Sequence, residues 1–186
     1  DRAADVREDH GTAGANQQLL PERLLQLSKL TADRGLRDVE LLVRFLGFHV
    51  FLPRYGGRMK EFLDWTCYDL NRSWAARQSE LTDAIDDFNA AIETLTQIFG
   101  PEGVARKANS RSFNRAIFDA LGFYAANAAV RAAMIHQPDQ VRAAYDAALA
   151  DKQFLDATES DTAGVPNTLA RLRIWGALLN EAIGLN

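Results

Sequence analysis

Two arginine–histidine pairs have the spacing in this chain that most resembles catalytic chemistry. Arg44 and Arg131 each stand five residues before a histidine, His49 and His136 respectively. A histidine with a pKa near neutrality can shuttle protons, and an arginine can stabilise the charge that develops on a phosphate during cleavage. The two pairs therefore supply one hypothesis, in which the chain cleaves phosphodiester bonds.

The same spacing resembles the Arg-x4-6-His motif of HEPN-type helical ribonucleases, which implies RNA cleavage without a metal. Along a helix, five residues turn about 140° past a full turn, so Arg44 and His49 share a face only if the helix bends near Gly47. The chain is also rich in arginine, so chance produces such spacings readily. An HEPN-like ribonuclease is therefore the alternative function and not the leading one.

A second chemistry that the sequence offers is phosphate binding by basic clusters. One cluster surrounds a double-glycine turn, where backbone amides and flanking cations can hold a phosphate at the start of the next helix. Both clusters would contact phosphates without reading bases, and ordinary solvated surface is the alternative for each. The phosphate-binding candidates are Arg54, Gly56, Gly57, Arg58 and Lys60 at the turn, and Arg106, Lys107 and Arg111 in the second cluster.

Most other signatures of catalysis are missing from the sequence. There is no phosphate-cradling Walker loop, no dinucleotide glycine fingerprint, no zinc-type cysteine pair and no glycine-flanked nucleophilic serine. The single cysteine, Cys67, has no base near it in sequence, which favours an inert thiol. We therefore expect no cofactor, no metal and no catalytic activity in this piece alone.

Composition bounds the remaining possibilities. The 186 residues, 47% of them hydrophobic, are enough for one packed domain but too few for two full ones. A formal charge of −4 limits any DNA contact to local basic clusters, because it excludes a strongly positive whole-molecule field. One cysteine and the lack of an apolar run near 20 residues favour a cytoplasmic protein that does not enter membranes.

Apolar periodicity predicts an all-α fold, a single-domain bundle of about seven helices. Residues 1–18 are polar and predict a flexible lead-in or a connector from a missing upstream module, whereas 19–186 form the bundle. Ser112 is expected to cap the fifth helix and either Ser73 or Ser79 the fourth. The predicted helices are 19–35, 38–50, 59–72, 81–99, 112–134, 139–150 and 168–183, with a loop over 156–167.

Several runs together resemble one family. RDVELLVRFLGFHVFLPRYGGRMKEFLD at 37–64, FNAAIETLTQIFGPEGVARK at 88–107 and SFNRAIFDAL at 112–121 are similar, in order and spacing, to the carboxy-terminal helical region of GmrSD-type, ParB-like DNA-targeting proteins. The phenylalanine, threonine and arginine of FLDATESDTAGVPNTLARLRIW resemble the closing block of that region. The resemblance covers about 36–175.

This resemblance implies a role in restriction of modified or foreign DNA and in phage defence. The family's catalytic motifs belong to its amino-terminal half, and none is carried onto a residue of this chain. We therefore expect a non-catalytic helical domain that supports or regulates an upstream ParB-like nuclease or NTPase module. The expected partners are that module, DNA through the local basic clusters, and a second copy of the chain in a homo-oligomer.

A third function class is a stand-alone protein–protein interaction domain. Single tryptophans at helical spacing, here Trp65, Trp74 and Trp175, more often anchor cores or interfaces than stack on bases. Such a domain would join itself or a partner helix through exposed apolar surface.

Overall fold

A computed structural model describes residues 39–107, 110 and 112–185. Within these ranges every regular element is helical, so the all-α prediction is confirmed. The predicted lead-in at 1–18 and the predicted helix at 19–35 lie outside the described residues. The elements are α1 (Val39–Phe51), a 3-10 turn (Leu52–Arg54), α2 (Met59–Phe99), α3 (Arg115–Ala125), α4 (Ala128–His136), α5 (Pro138–Ala150), α6 (Lys152–Glu159) and α7 (Val165–Ile183).

Helix α1 lies at the centre of the bundle. Every residue from Leu41 to Phe48 is buried, as its nearly continuous apolar sequence predicts. The helix packs against α2 and α3. At Gly47 the approach to α2 is close, because a Cβ there would lie 2.8 Å from the ring of Phe62. Glycine thus lets two large helices pack with little separation.

Helix α2 joins two helices that the sequence predicts separately, at 59–72 and 81–99. Its 41 residues run through one non-helical position, Arg77, with φ −120° and ψ 19°. Ser73 does not cap a new helix, because its hydroxyl donates to the carbonyl of Asp69 within the same helix. The predicted interruption is therefore a kink. The helix ends at Gly100, which has φ 75°.

The single helix predicted over 112–134 is wrong, because Asn114 moves its start to Arg115 and Asn127 divides it. The Asn114 side chain, not Ser112, caps α3 by accepting hydrogen bonds from the amides of Ala116 and Ile117. Asn127 caps α4 in the same way. An asparagine side chain that takes over backbone amides competes with continued helix, which explains the break.

The loop predicted at 156–167 is also wrong at its beginning. Helix α6 continues to Glu159, and Asp151 caps it by accepting from the amide of Phe154. Burial of one face of α6, including Phe154 and Ala157, outweighs the polar, turn-like composition of this stretch. What remains as connection is the short segment 160–164, which leads directly into α7.

Helix α7 closes the bundle by packing against α3, α5 and α6. Trp175 on its inner face is fully buried, which makes this tryptophan a core residue and not an interface anchor. Gly176 follows it and leaves room for the side chain of Tyr124, whose hydroxyl a Cβ at this position would overlap. None of the described helices combines the length and the apolar character needed to span a bilayer.

Candidate functional site

A buried ionic cluster joins three helices around Asp119 of α3. Arg44 of α1 donates from Nε to Asp119 Oδ1 at 3.0 Å and from one terminal nitrogen to Oδ2 at 2.6 Å. Arg171 of α7 donates to the same Oδ2 at 3.0 Å. All three side chains are buried, with 8%, 1% and 0% of the Arg44, Asp119 and Arg171 side chains exposed. We call these three residues the Asp119 cluster.

The Asp119 cluster carries one more positive than negative charge. Burial alone would lower the pKa of Arg44, but the Asp119 carboxylate more than offsets this effect and leaves that pKa raised. For Arg171, burial lowers the pKa and Asp119 offsets only part of the effect. Guanidinium groups stay charged in proteins even so. Arg171 gains a further partner by donating to the carbonyl of Thr162 at 2.7 Å.

A cavity of about 400 Å³ lies beside Arg44. Its walls come from α1, the chain leading into α3, the first turn of α3 and the 160–164 segment. Among the described residues, no carboxylate side chain lines the pocket. The charged and polar lining groups include Arg44, Lys107, Arg115, Ser110, Ser112 and Asn114. We call this cavity the Arg44 pocket.

The cations of the Arg44 pocket have acidic partners that do not themselves line it. Arg115 Nε lies 3.1 Å from an oxygen of Glu40, and Lys107 forms an ion pair with Glu159. In the part of the chain that the structure describes, the ion pairs of the pocket and of the Asp119 cluster join four cations to three carboxylates. The surplus positive charge and the carboxylate-free walls make the pocket attractive to anions.

The double-glycine turn also packs against the 160–164 segment and the first residue of α7. Tyr55 donates its hydroxyl to the carbonyl of Ala163 at 2.6 Å. Gly57, with φ 84°, approaches so closely that a Cβ would lie 3.3 Å from Val165. Because Lys107 pairs with Glu159, both basic clusters contact the stretch 159–165. The tertiary structure thus brings both clusters, which are about 50 residues apart in sequence, to one segment.

The cations of the turn cluster are exposed. Arg54 lies over the ring of Trp65, 4.9 Å from its centre. Arg58 and Lys60 have 77% and 89% of their side chains exposed and pair with acidic residues one turn further along α2. Gly56 is also exposed. The Arg58 and Lys60 side chains can therefore exchange a weak surface partner for a phosphate.

Arg106, a further member of the second cluster, is not among the lining residues of the pocket. Arg106 lies 3.1 Å from Glu102, and its backbone carbonyl accepts a hydrogen bond from Tyr145 at 2.8 Å. Its position therefore supports the packing of α5 on this loop. Arg111 lies outside the described residues.

The first arginine–histidine pair is divided between the interior and the surface. Arg44 is buried in the Asp119 cluster, whereas His49 is exposed and stacks on Phe45 with ring centres 5.6 Å apart. Arg44 thus holds α1 to α3, whereas His49 lies at the surface of the same helix.

The second pair has a similar arrangement on α4. Arg131 donates to Asp87 at 2.7 Å and to the carbonyls of Ala125 and Ala126, and so ties α4 to α2. His136 is exposed at the last residue of α4. In both pairs the arginine has a structural partner that the spacing alone does not reveal.

Sequence reasoning missed Asp119, Arg171 and Arg115 as members of the site. A signal was available for the first two, because each is a lone charge within an otherwise apolar helical face. Buried charges of this kind are almost always paired. Arg44, Asp119 and Arg171 also belong to three of the separate runs that carry the family resemblance, and these runs meet at the Asp119 cluster.

Other potential centres carry less chemistry. Burial raises the pKa of the Cys67 thiol, which is the opposite of activation as a nucleophile. In the ranges that the structure covers, no three His, Cys, Asp or Glu side chains are grouped to hold a metal. Comparisons with protein-family models, curated proteins and solved structures find no match for the chain.

Proposed function

We propose that the chain is a non-catalytic helical domain of a cytoplasmic DNA-targeting protein. In this proposal it supports or regulates a ParB-like nuclease or NTPase module and contacts DNA phosphates through its two basic clusters. The observation that carries the DNA contact is that Tyr55 and Gly57 of the turn and Lys107 of the second cluster all contact 159–165. Residues from the double-glycine turn and from the second cluster thereby contact one stretch of chain.

The family part of the proposal draws support from the Asp119 cluster. Runs of sequence that resemble the GmrSD-type helical region at three places meet in one ionic core. A core of this kind holds α1, α3 and α7 in fixed relative positions, as a rigid support domain requires. The structural roles of Arg44 and Arg131 likewise favour a non-catalytic domain over the HEPN-like alternative.

The phosphate contact follows from simple electrostatics. Exposed lysines and arginines that neutralise DNA phosphates release condensed counterions, so the affinity falls as salt rises. The surface pairs of Arg58 and Lys60 resist this exchange little, because exposed ion pairs contribute close to nothing. Since the chain is acidic as a whole, such binding depends on these local groups.

The test is binding of a closed DNA dumbbell, followed by fluorescence anisotropy over a series of salt concentrations. Replacing Arg54, Arg58 and Lys60 by glutamine should weaken binding and lower the salt slope by about one for each lost phosphate contact. Lys152→Gln is the matched control for Lys60→Gln, because Lys152 is also exposed and also pairs with an aspartate four residues later. Equal binding by the triple variant and the control contradicts the proposal.

The HEPN-like alternative has its own assay. Metal-independent RNA cleavage by the chain that is lost in His49→Ala or His136→Ala, with folding unchanged, would replace the proposed function. Because both histidines are exposed, these variants should fold normally. We expect no such cleavage from the wild-type chain.

A further inference from the structure

We propose that the Arg44 pocket binds a phosphomonoester group, such as that of a mononucleotide or of the 5′ end of a DNA strand. This inference rests on the proposed function in one respect, since Lys107 belongs to the second basic cluster. It narrows the contact made by that cluster from any backbone phosphate to one kind of chemical group.

The shape of the site favours a small or terminal group. A volume of about 400 Å³ lies in the range of cavities that hold small ligands. The continuous backbone of a duplex contacts protein surfaces and does not enter a cavity of this size. A terminal phosphate, with its three free oxygens, can enter and be surrounded by donors.

Arg44 provides a fixed guanidinium in the wall of the pocket. Its Nε and one terminal nitrogen donate hydrogen bonds to the Asp119 carboxylate. The other terminal nitrogen lies 3.7 Å from Glu40, which is beyond hydrogen-bonding distance. A guanidinium that is already held in place loses little entropy on binding an oxyanion. Its burial also strengthens the attraction, because water screens it poorly.

The charge of the site favours a monoester over a diester. A phosphomonoester carries a charge of about −1.5 to −2 at pH 7, whereas a diester carries one negative charge. The surplus positive charge around the pocket therefore discriminates between the two. Hydroxyls of Ser110 and Ser112 offer further donors to the phosphate oxygens.

Side chains, and not the start of α3, carry this recognition. The amides of Ala116 and Ile117 already donate to the side chain of Asn114. Lys107 and Arg115 are thus the groups whose removal should matter most. Both lie near the surface and pair with partly exposed glutamates, so replacing them spares the buried core.

The experiment is calorimetric titration with inorganic phosphate, a nucleoside 5′-monophosphate and the unphosphorylated nucleoside. The wild-type chain should bind the two phosphates and not the nucleoside. The double variant Lys107→Gln/Arg115→Gln should bind the monophosphate at least about tenfold more weakly. Lys152→Gln/Arg173→Gln removes the same charge away from the pocket and should bind as the wild type does.

A second variant keeps the test independent of lost ion pairs. Ser112 is exposed and lines the pocket, so Ser112→Glu should fold normally and abolish binding by placing a carboxylate there. Unfolding midpoints of all variants should match that of the wild type within a few degrees. Equal affinity in Ser112→Glu and wild type would overturn the proposal, as would tight binding of the nucleoside.

Oligonucleotides identify the source of the phosphate. Preference for a 5′-phosphorylated strand over its 5′-hydroxyl form assigns the site to a DNA end, and tighter binding of the mononucleotide assigns it to a free nucleotide. Both results support a phosphomonoester site. If the closed dumbbell binds and no phosphomonoester does, this inference is wrong and the proposed function stands. If only the monoesters bind, the proposed contact with the DNA backbone is wrong.

Discussion

The Asp119 cluster and the double-glycine turn both contain cation–carboxylate pairs, but the pairs are buried in the cluster and exposed at the turn. In the cluster, Arg44 and Arg171 share one buried carboxylate and are themselves buried, although Arg44 also lines the Arg44 pocket. At the turn, Arg58 and Lys60 each pair with an acidic residue on the next helical turn and stay largely exposed. The comparison teaches that burial, and not residue type or spacing, decides how much a cation contributes to the stability of the fold.

The energetic reason is the cost of removing charges from water. A buried ion pair must compensate that cost with short, well-directed hydrogen bonds, so deletion of one partner leaves the other severely destabilised. An exposed pair loses little water and gains little energy. The two regions should therefore respond very differently to equivalent substitutions.

The largest effect is expected for Asp119→Asn. This change removes the carboxylate that the buried Arg44 and Arg171 share, and should lower the free energy of unfolding by about 3–5 kcal/mol. Urea unfolding followed by circular dichroism measures it. Asp64→Asn, which removes the exposed partner of Lys60, is the control and should leave the midpoint unchanged. Similar midpoints for both variants would remove the distinction between the regions.

A smaller loss is expected for Arg171→Met. The remaining Arg44–Asp119 pair is neutral as a unit, and the methionine fills most of the space with apolar atoms. The free energy of unfolding should fall by about 1–3 kcal/mol, because bonds to Asp119 and to the Thr162 carbonyl are lost. In the double variant Asp119→Asn/Arg171→Met, the free energy of unfolding should fall by less than the sum of the two single-variant losses. Strict additivity would mean that the two residues are not coupled.

Alkaline pH should expose a further difference between buried and exposed groups. Burial raises the pKa of Tyr145, which remains protonated in the folded chain when the unfolded chain ionises near pH 10. The contribution of Tyr145 to stability is full below pH 10 and is lost above it. In that range the free energy of unfolding falls with a slope approaching about 1.4 kcal/mol per pH unit.

Unfolding curves at several values between pH 9 and pH 11 measure this slope. Tyr145→Phe should flatten it, at a cost of about 1 kcal/mol at neutral pH for the lost bond to the Arg106 carbonyl. Tyr68→Phe is the control, since 58% of Tyr68 is exposed. An unchanged slope in Tyr145→Phe would show that another group governs alkaline unfolding.

The smallest effect on stability is expected at the turn. Arg58→Gln and Lys60→Gln should leave the unfolding midpoint unchanged, because their partners are exposed and lie on the same helix. Differential scanning calorimetry at low and high salt measures this. A clear drop in midpoint for either variant would show that the turn, like the cluster, holds the fold together.

The sequence predicted the positions of helices well where the spacing of apolar residues decides them. The centre of α1, the stripe ending at Phe99 and the helix at 138–150 all follow from apolar spacing. The sequence predicted helix caps less well. Ser112 and Asn114 are both good capping residues, and only the tertiary packing decides which of them caps α3. Sequence reasoning also missed α6, whose helical state depends on burial of Phe154 against the rest of the bundle.

The amino-acid sequence by itself determined the all-α class and the course of most helices, because helical periodicity and turn residues act over only a few positions. Only the tertiary structure decided which charges meet. Arg44 and Asp119 are 75 residues apart, and Arg171 lies another 52 residues further on. Their pairing, and the pocket beside them, depend on which helices pack together, since the energy of a charge is set by its surroundings in space.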